Sequence, residues 1–461
     1  MARQPATRLQ LSGRRLLARR MMHALVRRDV AMFDDPLRAQ SISLALGGLL
    51  AALVLAAGVV VGLVRGNGVP DSAPIVMARE TGALYVRVGD ALHPVPNLAS
   101  ARLVARSAAD PVAADEASIA GVKRGPLMGI PGAPAAIGDP LRDPAWTVCD
   151  DDRTVVAVGR SDVDHLDSSR PVLVTPRGEG AATTYLLYDG QRATVDLRNI
   201  AVVRALRLDR VVPVPVSRAL LDVVPEVPAI TPPSIAGAGT PGPASLAGAA
   251  IGSVVSVGGE RFVVLRQGLQ RVGEVAADLI RYAYDTGGRP PTNVAPTAVA
   301  ALPVADELPV GTFPRRVGTP VGAADGYAVC ARWQSGVSAS TSSNTVVAVG
   351  ESPYRDATRI TVLAQADGAG PAVDAVAIPG GASVYVRSAR ILGDDGAGGA
   401  RFLVTDSGAV FGVHDDDTAK FLGLSDVSET APWPILANLP RGPELAVDAA
   451  SVVRDGFPTP S

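Results

Sequence analysis

Hydrophobic and polar positions divide the chain at one long uncharged stretch. No charged residue occurs from Ala39 to Val64, and the 21 residues Leu44–Val64 form an unbroken apolar run. As a helix rising about 1.5 Å per residue, this run spans about 32 Å and matches a hydrocarbon core of about 30 Å. Since only a helix satisfies its own backbone in lipid, the pattern predicts one transmembrane helix over residues 44–64. The alternatives are a buried helix of a soluble domain and a cleaved signal peptide, whose apolar run is usually shorter.

The segment before this run is basic and amphipathic. The first 38 residues contain nine arginines and only three acidic residues. Within residues 12–33, Leu17, Met21 and Leu25 recur every four residues, with arginine pairs between them, and Ser12 is a suitable N-cap. The pattern predicts a helix that lies on an anionic membrane leaflet or packs against a partner helix. The sequence leaves these two alternatives open.

The charge distribution also predicts the orientation in the membrane. Arginines precede the apolar run and few charges follow it directly. By the positive-inside rule, residues 1–43 are expected to be cytoplasmic, and the chain after about Arg65 to be extracytoplasmic.

The extracytoplasmic part contains an internal duplication. Two segments carry three nearly identical short strings in the same order, and the hexapeptide TVVAVG is identical in both. The first copy consists of Trp146–Cys149, Thr154–Gly159 and Leu173–Thr175, and the second of Tyr327–Cys330, Thr345–Gly350 and Leu403–Thr405. Runs of β-branched residues bounded by Gly, Pro and Asp favour strands. The duplication therefore predicts two homologous β-rich halves.

A second pattern occurs four times around these copies. Each instance is a strand, a tight polar turn, a second strand and a short amphipathic helix, as in the hairpin around Asp189-Gly190. Expected helices follow three of the hairpins at Asn97–Val104, Glu274–Ile280 and Ala419–Leu424. Alternating residues leave one face of each hairpin apolar.

These patterns predict a mixed α+β, β-rich fold with one N-terminal transmembrane helix. The external domain is expected to be elongated, with a pseudo-twofold core and four small strand-hairpin-helix repeats. Thr231–Gly252, rich in Pro, Gly and Ala, separates the halves. The expected boundaries are 72–118 for repeat 1, 119–180 for the first core half, 181–230 for repeat 2, 231–252 for the linker, 253–298 for repeat 3, 299–398 for the second core half, 399–450 for repeat 4 and 451–461 for the tail.

Composition restricts the function classes. The 43 basic and 45 acidic residues give a net charge of -2, which excludes a generally basic protein that coats nucleic acid. Aromatic residues make up only 4% of the chain, so Val, Ala and Leu must supply most of the core. Trp146, Trp333 and Trp433 are expected to anchor the packing of the β-structure, with an interface role as the alternative.

The two cysteines, Cys149 and Cys330, both lie on the predicted outside. An even pair in an oxidising compartment is most simply one disulfide. The alternative is two unrelated buried thiols.

No residue pattern predicts catalysis, metal binding or cofactor binding. A Walker A loop needs Gly-Lys-[Ser/Thr], but Lys123 precedes Arg124 and Lys420 precedes Phe421. The Gly-x-Ser-x-Gly motif of many hydrolases is absent as well. The isolated histidines favour surface or packing roles over metal ligation; they are His23, His93, His165 and His414.

Two acidic runs, Asp150–Asp152 and Asp415–Asp417, are interpreted as solvated turns. Calcium ligation is the alternative, although neither run has a distal Glu at EF-hand spacing.

Taken together, these strings resemble the EccB family of the type VII (ESX) secretion machinery of mycobacteria and other actinobacteria, and the resemblance covers nearly the whole chain. It depends on SGRRLLARRMMHALVRRD before the apolar run, GALYVRVGDALHPVPNLASARLV, RGPLMGIPGAP, WTVC, YLLYDGQRATVDL, RVGEVAADLIR, RFLVTDSG and APWPILANLPRGPEL. APWPILANLP and HDDD look like the ESX-4-type subgroup.

The resemblance implies a single-pass inner-membrane subunit with a periplasmic domain. It also implies assembly with an EccC-type motor ATPase, EccD, EccE and a mycosin protease, as a homo-oligomer within the complex. Members of the family are often labelled ATPases, but no nucleotide-binding residue can be carried over to this chain. The leading hypothesis is a structural subunit that makes contacts around the export channel. The alternatives are a non-Walker nucleotide hydrolase that uses the acidic runs, and a cell-wall-binding module.

Overall fold

The protein is described from a computed structural model. The structure describes residues 8–28, 36–64, 69–160, 162–178, 183–246, 248–284, 290–300, 302–335, 344–392 and 399–455. The chain divides into two compact units, residues 1–68 and residues 69–461. The mixed, β-rich class predicted from the sequence is confirmed.

The N-terminal unit contains two helices, Arg8–Arg27 and Pro36–Val64. The second helix includes Ser41–Val59, which is long and apolar enough to cross a membrane. It begins before the predicted span, at Pro36, a residue that suits the first position of a helix. The N-cap prediction for Ser12 is wrong, because Ser12 lies inside the first helix and its hydroxyl donates to the Leu9 carbonyl at 2.9 Å. Residues 29–33 of the predicted basic helix lie outside the described residues.

Four sheets of the large unit share one topology. In each, three consecutive antiparallel strands are followed by a helix and by a fourth strand that pairs in parallel with the first. Repeat 1 consists of Ile75–Ala78, Leu84–Val88, Ala91–Val95, helix Leu98–Ala105 and Val112–Ala114; repeat 2 of Val172–Pro176, Tyr185–Tyr188, Gln191–Thr194, helix Ile200–Ala205 and Val214–Val216; repeat 3 of Val254–Val257, Glu260–Leu265, Gly268–Val272, helix Glu274–Tyr284 and Thr292–Asn293; repeat 4 of Ala382–Ala389, Arg401–Thr405, Val410–Val413, helix Asp416–Leu422 and Glu429–Pro432.

A central sheet of six strands joins the two halves of the chain. Its order is Asn344–Gly350, Ala328–Gln334, Ala145–Asp150, Thr154–Gly159, Ala375–Ala377 and Thr361–Val362. The two hairpins that carry TVVAVG lie side by side and antiparallel, with Cys330 directly opposite Cys149. An approximate twofold axis through this pair relates the hairpins. The strand register within the two hairpins differs. Cys149 pairs with Val155, the second residue of its TVVAVG, whereas Cys330 pairs with Ala348, the fourth residue of the other copy.

The remaining elements are short. They are the helices Glu116–Ala120, Arg218–Val223, Pro296–Val299, Trp433–Asn438 and Val447–Ala450, the 3-10 helices Ala244–Leu246, Ala323–Asp325 and Ala357–Arg359, and the strands Leu127–Met128, Asp139–Pro140, Glu226–Val227 and Val453–Arg454.

The repeats pack in pairs that cross between the halves. Leu103 in the helix of repeat 1 shares a core with Leu422 in the helix of repeat 4, and the Arg102 guanidinium donates to the Leu422 carbonyl at 2.8 Å. Val202 of repeat 2 and Leu279 of repeat 3 share another core. Since the twofold axis exchanges repeat 1 with repeat 3 and repeat 2 with repeat 4, the two pairings are equivalent. Each half therefore completes its cores with residues of the other half.

Repeats 2 and 4 cover one face of the central sheet. Trp146 and Trp333 are buried there, as predicted, and pack in one core with Leu187 from repeat 2 and Val404 from repeat 4. Trp433 differs from the prediction. It is 44% exposed and stacks against the Arg441 guanidinium, 4.9 Å from the ring centroid.

Several expected boundaries differ in the structure. The first strand of repeat 2, Val172–Pro176, lies before the boundary expected at residue 181, and the first strand of repeat 4, Ala382–Ala389, lies before that expected at 399. Leu173 and Leu403 consequently belong to repeats rather than to the core, in non-equivalent strands. The predicted linker is packed rather than free, since Ile235 is buried in the core between repeats 2 and 3.

The hairpin glycine of repeat 2 provides a test of the contact between that repeat and the central sheet. Gly190 has φ +72, and a Cβ added there would lie 1.9 Å from the Thr345 carbonyl oxygen. Gly190→Ala is expected to lower the free energy of unfolding by at least about 3 kcal/mol, through left-handed backbone strain and the displaced strand. The control is Gly258→Ala, with φ +58 and open space around the Cβ, which is expected to cost about 1–2 kcal/mol. Equal losses in denaturant titrations of the two variants would contradict this contact.

Candidate functional site at the disulfide-linked centre

The two cysteines occupy facing positions in two adjacent inner strands of the central sheet, Ala328–Gln334 and Ala145–Asp150. Cys149 and Cys330 are 181 positions apart in sequence and form a disulfide, with 4.1 Å between their Cα atoms. Cys149 is 2% exposed and Cys330 is fully buried. The bond therefore links the two homologous halves at the approximate twofold axis.

A buried polar network begins at the residue after Cys149. One carboxylate oxygen of Asp150 accepts a hydrogen bond from the Thr154 hydroxyl at 2.7 Å, and the other accepts from the Ser217 backbone N–H at 2.5 Å. The Arg177 guanidinium lies 3.9 Å from the same carboxylate. It also donates to the Thr154 hydroxyl at 3.2 Å and to the Asp151 carbonyl at 2.8 Å.

Asp374 extends this network to the other half of the chain. Its carboxylate accepts from the Thr154 backbone N–H at 2.7 Å, and from the backbone N–H groups of Asp367 and Gly368 at 2.8 and 2.6 Å. The network therefore joins the central sheet, repeat 2 and the loop before strand Ala375–Ala377.

The electrostatics of Asp150 are those of a buried structural charge. Burial raises the pKa of Asp150, while the Arg177 guanidinium and the hydrogen bonds from Thr154 and Ser217 act in the opposite direction. Because both carboxylate oxygens already accept hydrogen bonds, the group is suited to fixing neighbouring elements rather than to exchanging protons with a substrate.

The solvated-turn interpretation of the first acidic run is therefore wrong for Asp150. The interpretation fits Asp152, which is exposed, and fits Asp151 only in part, because Asp151 is half-buried. Burial and a hydrogen bond with Asp152 raise the pKa of Asp151, and the same hydrogen bond lowers the pKa of Asp152, as does the adjacent Arg153.

The second acidic run also differs from the predicted turn. Asp415 is the N-cap of helix Asp416–Leu422, and its carboxylate accepts from the Thr418 backbone N–H at 2.7 Å. This hydrogen bond lowers the pKa of Asp415. Asp416 pairs with Arg401 at 2.8 Å. The run has a local structural explanation, since acidic residues in a first turn also stabilise the helix dipole.

This capping role predicts that the stability of a variant at Asp415 depends on whether the new side chain keeps an oxygen that accepts the hydrogen bond. Asp415→Ala is expected to lower the free energy of unfolding by about 1 kcal/mol, because the helix loses its side-chain cap. Asp415→Asn is expected to be near neutral, since the amide oxygen accepts the same bond. Thermal denaturation compares the two variants, and an equal loss in both would show that the charge, not the cap, stabilises this region.

Three further candidate residues, His93, His414 and Lys123, make local contacts of their own. His93 Nδ1 lies 2.9 Å from the Pro126 carbonyl, and His414 Nδ1 lies 3.0 Å from the Glu444 carboxylate, which raises the pKa of His414. Lys123 pairs with Asp90 at 3.1 Å. Among the residues that the structure describes, no group of three or more His, Cys, Asp or Glu side chains is arranged to hold a metal ion.

Sequence reasoning missed three members of the buried network, Arg177, Ser217 and Asp374. Each is an isolated polar residue in its local sequence, and Asp374 is 220 positions from Thr154, to which it bonds. The only sequence signal was the position of Asp150, which continues the strand that contains Cys149.

Comparison with known proteins gives a family match over nearly the whole chain. Residues 3–459 match the family described as "Type VII secretion system ESX-1, transport TM domain B". The chain is 33% identical to "ESX-3 secretion system ATPase EccB3" of Mycolicibacterium smegmatis, covering 98% of this chain and 92% of that protein. It is also 33% identical to "ESX-2 secretion system ATPase EccB2" of Mycobacterium tuberculosis, covering 98% and 96%. The ESX-4-type subgroup stays a prediction.

Two solved structures resemble the fold along most of its length. A chain in "Structure of an intact ESX-5 inner membrane complex" superposes with a TM-score of 0.72 at 29% identity, covering 100% of this chain and 98% of that one. A chain in "Structure of EccB3 dimer from the ESX-3 core complex" superposes with a TM-score of 0.69 at 31% identity, covering 82% and 100%.

Proposed function

This chain belongs to the EccB family of type VII secretion proteins, and from that premise we propose that it is a structural and assembly subunit of a type VII secretion complex in the inner membrane. The observation that carries the proposal is the superposition of its whole length on one chain of an intact ESX-5 inner membrane complex. The large unit supports a scaffold role, because its cores and its buried network join segments distant in sequence.

The proposed topology places the N-terminus in the cytoplasm and residues 69–461 in the periplasm. The uncharged helix and the arginines before it support this orientation. The disulfide supports it independently, since such bonds persist in an oxidising compartment. A protease added to intact spheroplasts is therefore expected to digest the large unit and to leave an N-terminal tag protected. Protection of the C-terminus under the same conditions would contradict the topology.

The proposed partners are an EccC-type motor ATPase, EccD, EccE, a mycosin protease and further copies of this chain. They follow from family membership, and the resemblance to chains of an EccB3 dimer and of an ESX-5 inner membrane complex supports self-association within a larger assembly. The repeats are proposed to supply the periplasmic contacts, since they form two pairs, each with its own core.

Relatives of this chain are named ATPases, but we assign no nucleotide hydrolysis to it. The chain contains no Gly-Lys-[Ser/Thr] sequence, which a Walker loop requires. Of its acidic runs, Asp150 is hydrogen-bonded on both oxygens and Asp415 caps a helix. In the proposed assembly, we place nucleotide hydrolysis at the EccC-type motor.

Affinity purification from native membranes tests the proposal. A C-terminally tagged chain, expressed from its own locus and extracted in mild detergent, is expected to bring down the EccC-type motor and an EccD-type subunit. The matched control is an equally expressed variant that lacks residues 12–27 of the first helix, which separates contacts of the basic helix from those of the large unit. Recovery of the tagged chain without either partner would contradict the proposal.

A further inference from the structure

Two loops, one from each half of the chain, lie over the disulfide. We name them together the disulfide cover; they are residues 162–167, after strand Thr154–Gly159, and residues 351–360, after strand Asn344–Gly350. They lie on the face of the central sheet opposite to Trp146 and Trp333, because successive residues of a strand point to opposite faces. The disulfide is thus closed off by the tryptophan core on one side of the sheet and by the cover on the other.

Apolar side chains of the cover pack in one cluster with the disulfide. Val163 from the first loop and Tyr354 from the second form one buried cluster with Cys149 and Cys330. Leu166 and Ile360, both partly buried, pack against that cluster. Tyr354 is only 1% exposed and contributes the largest side chain of this cluster.

The two loops are tied to each other and to the opposite half. The Arg359 guanidinium donates to the Asp162 carboxylate at 2.6 Å. Asp167 and Val349 exchange two backbone hydrogen bonds of 3.0 Å, which fixes the first loop to the edge strand of the other half. Opening the cover therefore separates contacts between the halves while leaving the strands of the central sheet paired.

We propose that the disulfide cover gates thiol–disulfide exchange at Cys149–Cys330, so that a thiol reaches the sulfur atoms only when the cover opens locally. With dithiothreitol as the reductant, one of its thiolates attacks a cystine sulfur, the S–S bond breaks and a mixed disulfide forms. Its second thiolate then displaces the remaining cysteine. Two electrons pass to the protein, both cysteines take up protons as thiols, and the reagent leaves as its cyclic disulfide.

Tyr354 shields the disulfide through its ring and not through a hydrogen bond of its hydroxyl. The hydroxyl is buried and has no hydrogen-bond partner among the described residues. The ring therefore supplies volume and contacts, and removal of the oxygen alone costs no internal hydrogen bond.

Reduction kinetics of the full-length chain in detergent test the gate. Dithiothreitol is added under native conditions, and free thiols are counted with a maleimide over time. Tyr354→Ala is expected to react at least about a hundredfold faster than the wild type, since truncating a buried aromatic residue removes most of the contacts that hold the cover closed. Tyr354→Phe is expected to react within twofold of the wild type. Arg359→Ala is expected to react about two- to fivefold faster, because its ion pair is half-exposed.

The matched control is Tyr385→Ala, which truncates the same residue type in the core between repeats 1 and 4 and is expected to leave the reduction rate within twofold of the wild type. An equal acceleration in this control would overturn the proposal, since reduction would then follow global unfolding. A wild-type rate for Tyr354→Ala would overturn it as well. If Tyr354→Ala does not fold, Val163→Ala replaces it, with an expected acceleration of about tenfold, and a wild-type rate there has the same consequence.

Discussion

Replacing both cysteines by serine is expected to lower the free energy of unfolding by about 5 kcal/mol. The disulfide joins residues 181 positions apart, and closing so long a loop removes conformational entropy from the unfolded chain that the double variant regains. Few single contacts in a domain contribute as much. The measurement is a denaturant titration of Cys149→Ser/Cys330→Ser beside the oxidised wild type.

A matched control for this prediction is the wild type reduced in denaturant and refolded with dithiothreitol present. It keeps both sulfur atoms but not the bond, and its stability is expected to lie close to that of the double variant. A loss below about 1 kcal/mol in both would contradict the role of the bond as the link between the halves.

Replacing Arg177 by Met is expected to destabilise the large unit by about 3–5 kcal/mol at neutral pH. The variant leaves the Asp150 carboxylate buried without its cation, and breaking a buried ion pair on one side costs about this much. The side chains of Arg177 and Asp150 are only 5% and 1% exposed, so water does not replace the lost partner.

The loss in this variant is also expected to depend on pH in a defined direction. Without Arg177, the pKa of Asp150, already raised by burial, rises further. A carboxyl group with a folded-state pKa above its unfolded value loses stability as pH rises from the unfolded pKa, about 4, through the folded one. The difference from the wild type should therefore be small near pH 4 and grow toward neutral pH.

Arg198→Met is the control for this pH dependence, because Arg198 is exposed and pairs with Asp196 on the surface. Its free energy of unfolding is expected to stay within about 1 kcal/mol of the wild type at every pH, because an exposed pair contributes little. A pH-independent loss in Arg177→Met would contradict an ionised Asp150 as the group that Arg177 stabilises.

Much of the fold could be predicted from patterns among residues that are close together in the sequence. The apolar run identified the long helix, because only an uncharged stretch of that length suits the membrane core. Asp189-Gly190 identified a hairpin turn, since both residues adopt positive φ in the structure. These features depend on neighbouring residues only, so one sequence suffices to detect them.

Features that depend on distant pairing were not predictable in the same way. Val172–Pro176 reads as a continuation of the first core half, but it pairs with Tyr185–Tyr188 and Val214–Val216. Parallel pairing with a strand some forty residues later has no local signature. For the same reason Asp150 appeared to begin a solvated turn, although Ser217, from the end of repeat 2, donates to its carboxylate.

The central claim is that this chain holds a type VII membrane complex together, and the native mass of that complex tests it most directly. Membranes of a strain lacking the chain are compared by native electrophoresis with membranes that carry the wild type or an Asp416→Asn/Asp417→Asn variant, and the EccC-type motor is detected in each. We predict that the motor leaves the high-mass band in the deletion strain and returns to it equally with both forms of the chain. A motor that keeps its high-mass position without the chain would contradict the account.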